Sequence, residues 1–200
     1  MKVLSIIGTY RKGKTIDTLV SKAIERATAR DTDVTVDKIY LIDKHIEYCK
    51  NCMTCRNDDT EEDVADCVIS DDLNDVFPLI QEADRLIFAT PINCGTVTAV
   101  MKTFLERTCW TLAKPGNDPI PGCPEPRSTK KRKAIILLST GIVPPDLREA
   151  CDDATPLITS NCEYCFNAEV VGTLCAGAVE SEGVATFFEE AIRLGKKLVL

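Results

Sequence analysis

A nearly continuous apolar run, Val3-Leu4-Ser5-Ile6-Ile7, ends on Gly8, and after a short polar loop apolar residues recur at Ile16, Leu19, Val20, Ala23, Ile24 and Ala27. The run predicts a strand buried on both faces, and the recurrence is the 3.6-residue period of a helix over 15–30. A second β-rich segment follows at 33–42, with Val34, Val36, Ile39 and Leu41 as its inward residues. Strand, glycine-ended loop, helix and strand make a βαβ unit, and such a unit forces a parallel sheet with helices laid over its faces. No other feature of the chain narrows the choice of fold as much.

The pattern continues downstream. Asp71 and Asp72 suit the start of a helix reaching Ala83 through Leu73, Val76, Phe77 and Ile80. Leu86-Ile87-Phe88-Ala89 predicts a third buried strand, and Val97 to Trp110 a helix with Val100, Met101, Phe104 and Leu105 on one side. Residues 109–131 break the rhythm: Pro115, Pro119, Pro121, Pro124 and Pro126 fall there with Gly116 and Gly122, which predicts a long irregular loop covering a site or a partner surface. Ala134 to Leu138 is the fourth strand, 146–159 a helix weakened late by Pro156, Phe166 to Val171 a fifth strand, and 183–200 a closing helix. The expected architecture is one α/β domain over residues 1–200, a three-layer, doubly wound, five-stranded parallel sheet of flavodoxin-like order 2-1-3-4-5, carrying a Cys-rich insertion at 49–67.

Charge and composition exclude several classes. With 24 basic and 31 acidic residues the net charge is −7, which argues against a general nucleic-acid binder. No apolar stretch reaches the ~18 residues of a membrane span, and Met1-Lys2 leads into too short an apolar run for a signal peptide. A cytoplasmic protein is expected. Eleven cysteines, an odd number, then argue for metal or redox chemistry in any tight cluster rather than for a disulfide framework.

The loop Gly8-Thr9-Tyr10-Arg11-Lys12-Gly13-Lys14-Thr15 sits where strand one feeds helix one. Unpaired N–H groups and the helix dipole favour an anion there, and Thr9, Thr15, Arg11, Lys12 and Lys14 add hydroxyls and positive charge. The octet also fits the phosphate-loop pattern G-x-x-x-x-G-K-T, so a nucleotide triphosphatase is the rival reading. Against it stand the bulky Tyr10-Arg11-Lys12 and a third strand that ends in Thr90-Pro91 rather than in an aspartate for Mg²⁺.

Four segments taken together resemble a known family: Gly8 to Thr15; Cys49-Lys50-Asn51-Cys52-Met53-Thr54-Cys55 followed by Cys67-Val68-Ile69-Ser70-Asp71-Asp72-Leu73; Ala89-Thr90-Pro91-Ile92-Asn93-Cys94-Gly95; and Met101-Lys102-Thr103-Phe104-Leu105-Glu106-Arg107. In order and spacing they are similar to the NADPH-dependent FMN reductases and iron–sulfur flavoproteins, over about the first 140 residues. The resemblance implies that Thr9, Arg11, Lys14 and Thr15 contact the FMN phosphate. It also implies that Pro91, Ile92, Asn93, Cys94 and Gly95 line the isoalloxazine, and that Thr140 and Gly141 close its other side. Lys14 stands where the family has asparagine, Asn93 where it has an aromatic, and Glu106 where aspartate is common. A flavin needs no acid–base pair to take up a hydride, so no catalytic side chain is assigned. The lone histidine, His45, lies outside every motif.

Cys49, Cys52 and Cys55, at two-residue gaps, and Cys67, after eleven more residues, are a layout that can hold a [4Fe–4S] cluster. Four-cysteine zinc and free thiols are the open alternatives, and the insertion from Asn57 to Asp66 is longer than in iron–sulfur relatives. Cys162 and Cys165 read as core thiols. Two functions follow. One is an FMN enzyme taking electrons from NAD(P)H to a quinone, flavin or similar acceptor. The other is an iron–sulfur flavoprotein carrier exchanging electrons with a ferredoxin-like partner. The resemblance also implies a homodimer or homotetramer.

Overall fold

The computed structural model describes residues 1–28, 33–144, 146–147 and 151–200, and only the backbone of Arg26. In chain order the elements are β1 (Lys2–Ile7), α1 (Thr15–Thr28), β2 (Thr35–Tyr40), α2 (Phe77–Glu82), β3 (Arg85–Pro91), α3 (Ala99–Leu112), β4 (Ala113–Pro115), β5 (Pro124–Pro126), β6 (Arg132–Ser139), α4 (Ala154–Tyr164), β7 (Ala168–Ala176), α5 (Val179–Glu182) and α6 (Phe188–Leu198). Five strands form one sheet in the order β2-β1-β3-β6-β7, and every neighbouring pair is parallel. Counted within that sheet, this is the expected 2-1-3-4-5 order.

The buried strands show why their sequences are apolar throughout. Leu4 and Ile6 of β1, Leu86 and Phe88 of β3, and Ala134, Ile136 and Leu138 of β6 pack on one face with residues of α2, α3 and α4. Val3 and Ile7, Ile87 and Ala89, and Ile135 and Leu137 pack on the other face with α1 and α6. Each strand therefore alternates between two cores, and both need hydrophobic side chains. Phe166, between α4 and β7, meets Phe88 edge-on at 5.2 Å and stacks on Phe104 at 6.3 Å, pairs worth about 0.5–1.5 kcal/mol each beyond their area.

Several expected boundaries move, for physical reasons. The helix expected over 71–83 is a 3-10 turn at Asp72–Asp75 followed by α2, whose first turn contains Pro78. The helix expected over 146–159 begins at Ala154 and runs to Tyr164. Pro156 thus lies in its first turn, where the missing N–H costs nothing; residues 148–150 lie outside the described residues, as do 29–30 at the end of the first expected helix. The loop expected over 109–131 is shorter, because α3 continues to Leu112 and 113–126 form an antiparallel β4–β5 hairpin. The fifth strand extends to Ala176, and the closing helix expected over 183–200 is a 3-10 turn at Val184–Phe187 followed by α6, with the four-residue α5 standing before it. No helix among the described residues is long and apolar enough to cross a membrane.

Candidate functional site

The carboxyl ends of β1, β3, β6 and β7 open on a cleft of about 510 Å³, lined by Thr9, Tyr10, Arg11, Lys14, Thr15, Ile16, Pro91, Ile92, Asn93, Ser139, Gly141, Val179 and Glu180. Its position is where a doubly wound sheet leaves a crevice, and its size is that of a cofactor site. Eight of the residues expected from sequence meet there.

The anion end is built at the start of α1. Its first helical bond runs from Thr18 N–H to the Lys14 carbonyl at 2.9 Å, so the N–H groups of Thr15, Ile16 and Asp17 precede it. Thr9 Oγ1 accepts the Arg11 N–H at 3.2 Å, which curls the loop. The three loop cations are not equivalent. Lys12 is drawn away to an ion pair with Asp43 and over the Tyr40 ring, whereas Arg11 and Lys14 line the cleft and make no ion pair among the described residues. Two uncompensated cations at a helix N-terminus suit a phosphate. A triphosphate loop would also need the Gly13 N–H, but that donor is taken by Asp17 Oδ2 at 2.8 Å.

Asp17 also anchors β2, since the Tyr40 hydroxyl donates to its Oδ1 at 2.7 Å. Burial first, then that hydrogen bond and the charge of Asp17, push the Tyr40 phenol up to about 12. A phenol raised on folding contributes stability that is complete below its unfolded pKa of about 10 and is lost as pH rises through about 12. Thermal melts of wild type and Y40F will therefore differ by a constant amount below about pH 10, and the difference will shrink above it. A gap that stays constant to about pH 12 refutes the linkage.

The opposite wall depends on close packing. Gly8 N–H donates to the Ala89 carbonyl at 2.8 Å, and Thr98 Oγ1 donates to the Gly8 carbonyl at 2.6 Å. A Cβ on Gly8 would stand 2.9 Å from Met101 Cβ, so only glycine lets the loop lie against α3. After β3, the N–H and carbonyl of Asn93 pair with those of Thr96 at 2.8 and 3.1 Å. The two residues between, Cys94 and Gly95, both have positive φ, as a type I′ turn requires. Cys94 stands exposed in that turn, and neither it nor Gly95 lines the cleft. Thr140 is buried behind the cleft, its hydroxyl donating to the Val143 carbonyl at 2.5 Å. Tyr10, Ile16, Ser139, Val179 and Glu180 were not expected. Tyr10 and Ile16 flank recognised residues, but nothing in the sequence points from α5 to the cleft.

The four cysteines expected as ligands line a second, smaller pocket together with Glu106, Arg107 and Trp110 of α3. Burial, followed by the nearby Cys67, Cys49 and Cys52, pushes the Cys55 thiol up, whereas hydrogen bonds from Thr54 hold Cys52 down. The acidic insertion is ordered by Arg127, which is buried and donates to the carbonyls of Ala113, Thr60, Cys55 and Asp58. Arg107 is also buried: its Nη1 donates to Asp71 Oδ2 at 2.5 Å, and its Nη2 lies 3.7 Å from Cys67 Sγ. Among the described residues no three His, Cys, Asp or Glu side chains are arranged to share one ion. The donor set, four thiols with the Arg107 guanidinium beside Cys67, nevertheless suits a thiolate-bound cluster, and Arg107 Nε is buried without any hydrogen-bond partner. Cys162 and Cys165 are core thiols, as expected, and Cys165 Sγ donates to Asn161 Oδ1 at 3.9 Å.

Comparison with known proteins gives the chain's family and fold. A curated iron–sulfur flavoprotein from Methanosarcina thermophila is 29% identical over 108 residues, 54% of this chain and 52% of that protein. The chain spans about half the length of the curated relatives it matches. Among solved structures, an azoreductase from Bacillus anthracis str. Sterne aligns with TM-score 0.70 at 19% identity over 98% of this chain and 99% of its own. The NAD(P)H:quinone oxidoreductase from Methanothermobacter marburgensis aligns with TM-score 0.68 at 16% identity over 98% of each chain. At those identities the likeness establishes the fold. The model of NADPH-dependent FMN reductases matches residues 1–158, the stretch that holds the phosphate-type loop, the β3 turn and the four pocket cysteines, and the chain belongs to that family.

Proposed function

We propose that the cleft binds FMN and that the protein is an NAD(P)H-dependent flavin oxidoreductase delivering electrons to a quinone, flavin or similar small acceptor. The observation that carries this reading is the pair of uncompensated cations, Arg11 and Lys14, at the N-terminus of α1 within the cleft. Thr9, Thr15 and the unpaired N–H groups of the first turn would complete the phosphate seat. Pro91, Ile92 and Asn93 would bound the ring on one side and Gly141 on the other. The Asn93–Thr96 turn beside this wall is held by the Asp153 N–H donating to the Gly95 carbonyl at 2.7 Å. Bound FMN supplies the hydride acceptor, and the residues around it bind, orient and exclude water.

Titrating the apoprotein with FMN, followed by flavin fluorescence, should show one tight site per chain. NADH or NADPH oxidation with a quinone acceptor should depend on that occupancy. Absence of flavin binding, together with binding of Mg²⁺-ATP, would overturn the reading in favour of a triphosphatase.

A second reading, the electron carrier with a ferredoxin-like partner, is favoured by the pocket lined by Cys49, Cys52, Cys55 and Cys67. Iron and sulfide in anaerobically purified protein, with slow NAD(P)H turnover, select it; iron-free protein with rapid turnover excludes it.

A further inference from the structure

The segment Met101–Arg107 carries part of the family resemblance, with Glu106 where aspartate is common, but only its beginning packs against the cleft loop, where Met101 lies under Gly8. Arg107 lines the cysteine pocket instead. Its side chain is 1% exposed, and that of its ion-pair partner Asp71 is fully buried. Nη1 donates to Asp71 Oδ2 at 2.5 Å and to the Glu47 carbonyl at 2.8 Å; Nη2 donates to Asp71 Oδ1 at 3.4 Å and to Cys67 Sγ at 3.7 Å. Asp71 in turn accepts the N–H groups of Glu47 and Leu73 at 2.9 and 3.1 Å. One guanidinium thus fastens both ends of the cysteine segment to α3, two residues before Cys49 and four after Cys67.

Stability alone does not account for this arrangement. A buried ion pair generally does no better for folding than apolar residues of the same volume. Here one of the cation's donors, Nε–H, is also left buried with no acceptor, which is a cost unless something fills the role. Four thiols and one buried cation touching a thiol describe a site for an anionic occupant bearing sulfur.

We propose that Arg107 is the positioning residue of the four-cysteine pocket, holding Cys67 in place by an N–H···S contact and raising the reduction potential of an iron–sulfur cluster bound there. The inference rests on the cysteines being cluster ligands. A thiolate-ligated cluster becomes more negative when it gains one electron, with no bond made or broken. A positive charge and N–H donors at its sulfurs favour that reduced form.

The test uses the full chain, reconstituted anaerobically with iron and sulfide, as wild type, R107K, R107Q and D71N/R107Q. The double variant removes both charges together, so no uncompensated buried carboxylate threatens folding. Iron, sulfide and FMN per chain are measured, and the cluster's midpoint potential is followed by electron paramagnetic resonance. R107Q and the double variant should shift the one-electron equilibrium at least tenfold towards the oxidised form, 59 mV downward, with FMN content unchanged and R107K in between. Loss of iron from both, with flavin retained and iron restored in R107K, supports the positioning of Cys67 by Arg107, and the potential is then read in R107K against wild type. A cluster whose potential is unmoved in all variants overturns the role of Arg107 and leaves the cluster reading standing. Wild-type protein that takes up no iron overturns both.

Discussion

Reversing both cleft cations, in an R11E/K14E variant, will weaken FMN binding at least about a hundredfold while leaving the apoprotein's stability nearly unchanged. Hydrogen bonds to charged groups contribute about 1.5–3 kcal/mol each, so losing two removes roughly 3–6 kcal/mol. At about 1.4 kcal/mol per decade that is two to four decades of affinity, before the new carboxylates repel the phosphate. Folding should not notice, because both side chains are exposed and make no ion pair among the described residues; such surface changes usually stay within about 0.5 kcal/mol. Lys12 provides the contrast. It belongs to the same loop but is held by Asp43 outside the cleft, so K12A should move FMN affinity less than about tenfold. Equal losses in K12A and R11E/K14E would mean that the loop acts through its general charge, and the geometric assignment would fail.

The largest stability effect is expected at Gly195. It lies in α6 against α1, and a Cβ added there would stand 1.9 Å from the Ala23 carbonyl oxygen and 2.7 Å from its carbon. Both are backbone atoms, which cannot rotate away. Alanine is the better helix former by about 1 kcal/mol, but overpacking costs typically 1–3 kcal/mol and more when the contact cannot yield. The clash wins, and G195A should be less stable by roughly 2–3 kcal/mol. For a chain of this size that lowers the melting temperature by about 5–10 °C, with a lower denaturant midpoint and an unchanged m-value. Since α1 also carries the anion end of the cleft, FMN affinity should fall with it. A variant as stable as wild type would show that α6 can shift freely on α1, contrary to the packing described.

Much of this arrangement was legible in the amino-acid sequence because the sheet's central strands are buried on both faces. Val3–Ile7, Leu86–Ala89 and Ala134–Leu138 read as unbroken apolar runs, and the observed strands contain them. Elements whose ends are set by tertiary context were harder to place. Pro156 reads as a weak point late in a helix, but the helix starts two residues before it. The prolines of 109–131 suggest irregular chain, but Pro115 and Pro124 pair across a two-stranded hairpin, which tolerates proline at its edges. In the cleft, the loop after β1 and the turn after β3 were found from spacing and resemblance. Val179 and Glu180 were not, because α5 is four residues long, follows a left-handed Ala178 and has no amphipathic period to announce it. Cys94 falls inside a recognised motif, but the positive φ of the turn carries it to the exposed tip.

The position of β1 between β2 and β3 has a consequence for biosynthesis. Val3 pairs with Val36 on one side but with Arg85 on the other, so β1 must wait for some eighty residues before its second neighbour exists. The cleft waits longer still, because one of its walls comes from Val179 and Glu180. A growing polypeptide can therefore settle its first βαβ unit early, but it has nowhere to lodge a cofactor until translation has passed α5. On the reading that the cleft binds FMN, flavin would be captured only after that point and would add to stability by mass action, so riboflavin-starved cells should accumulate a folded but more easily degraded form.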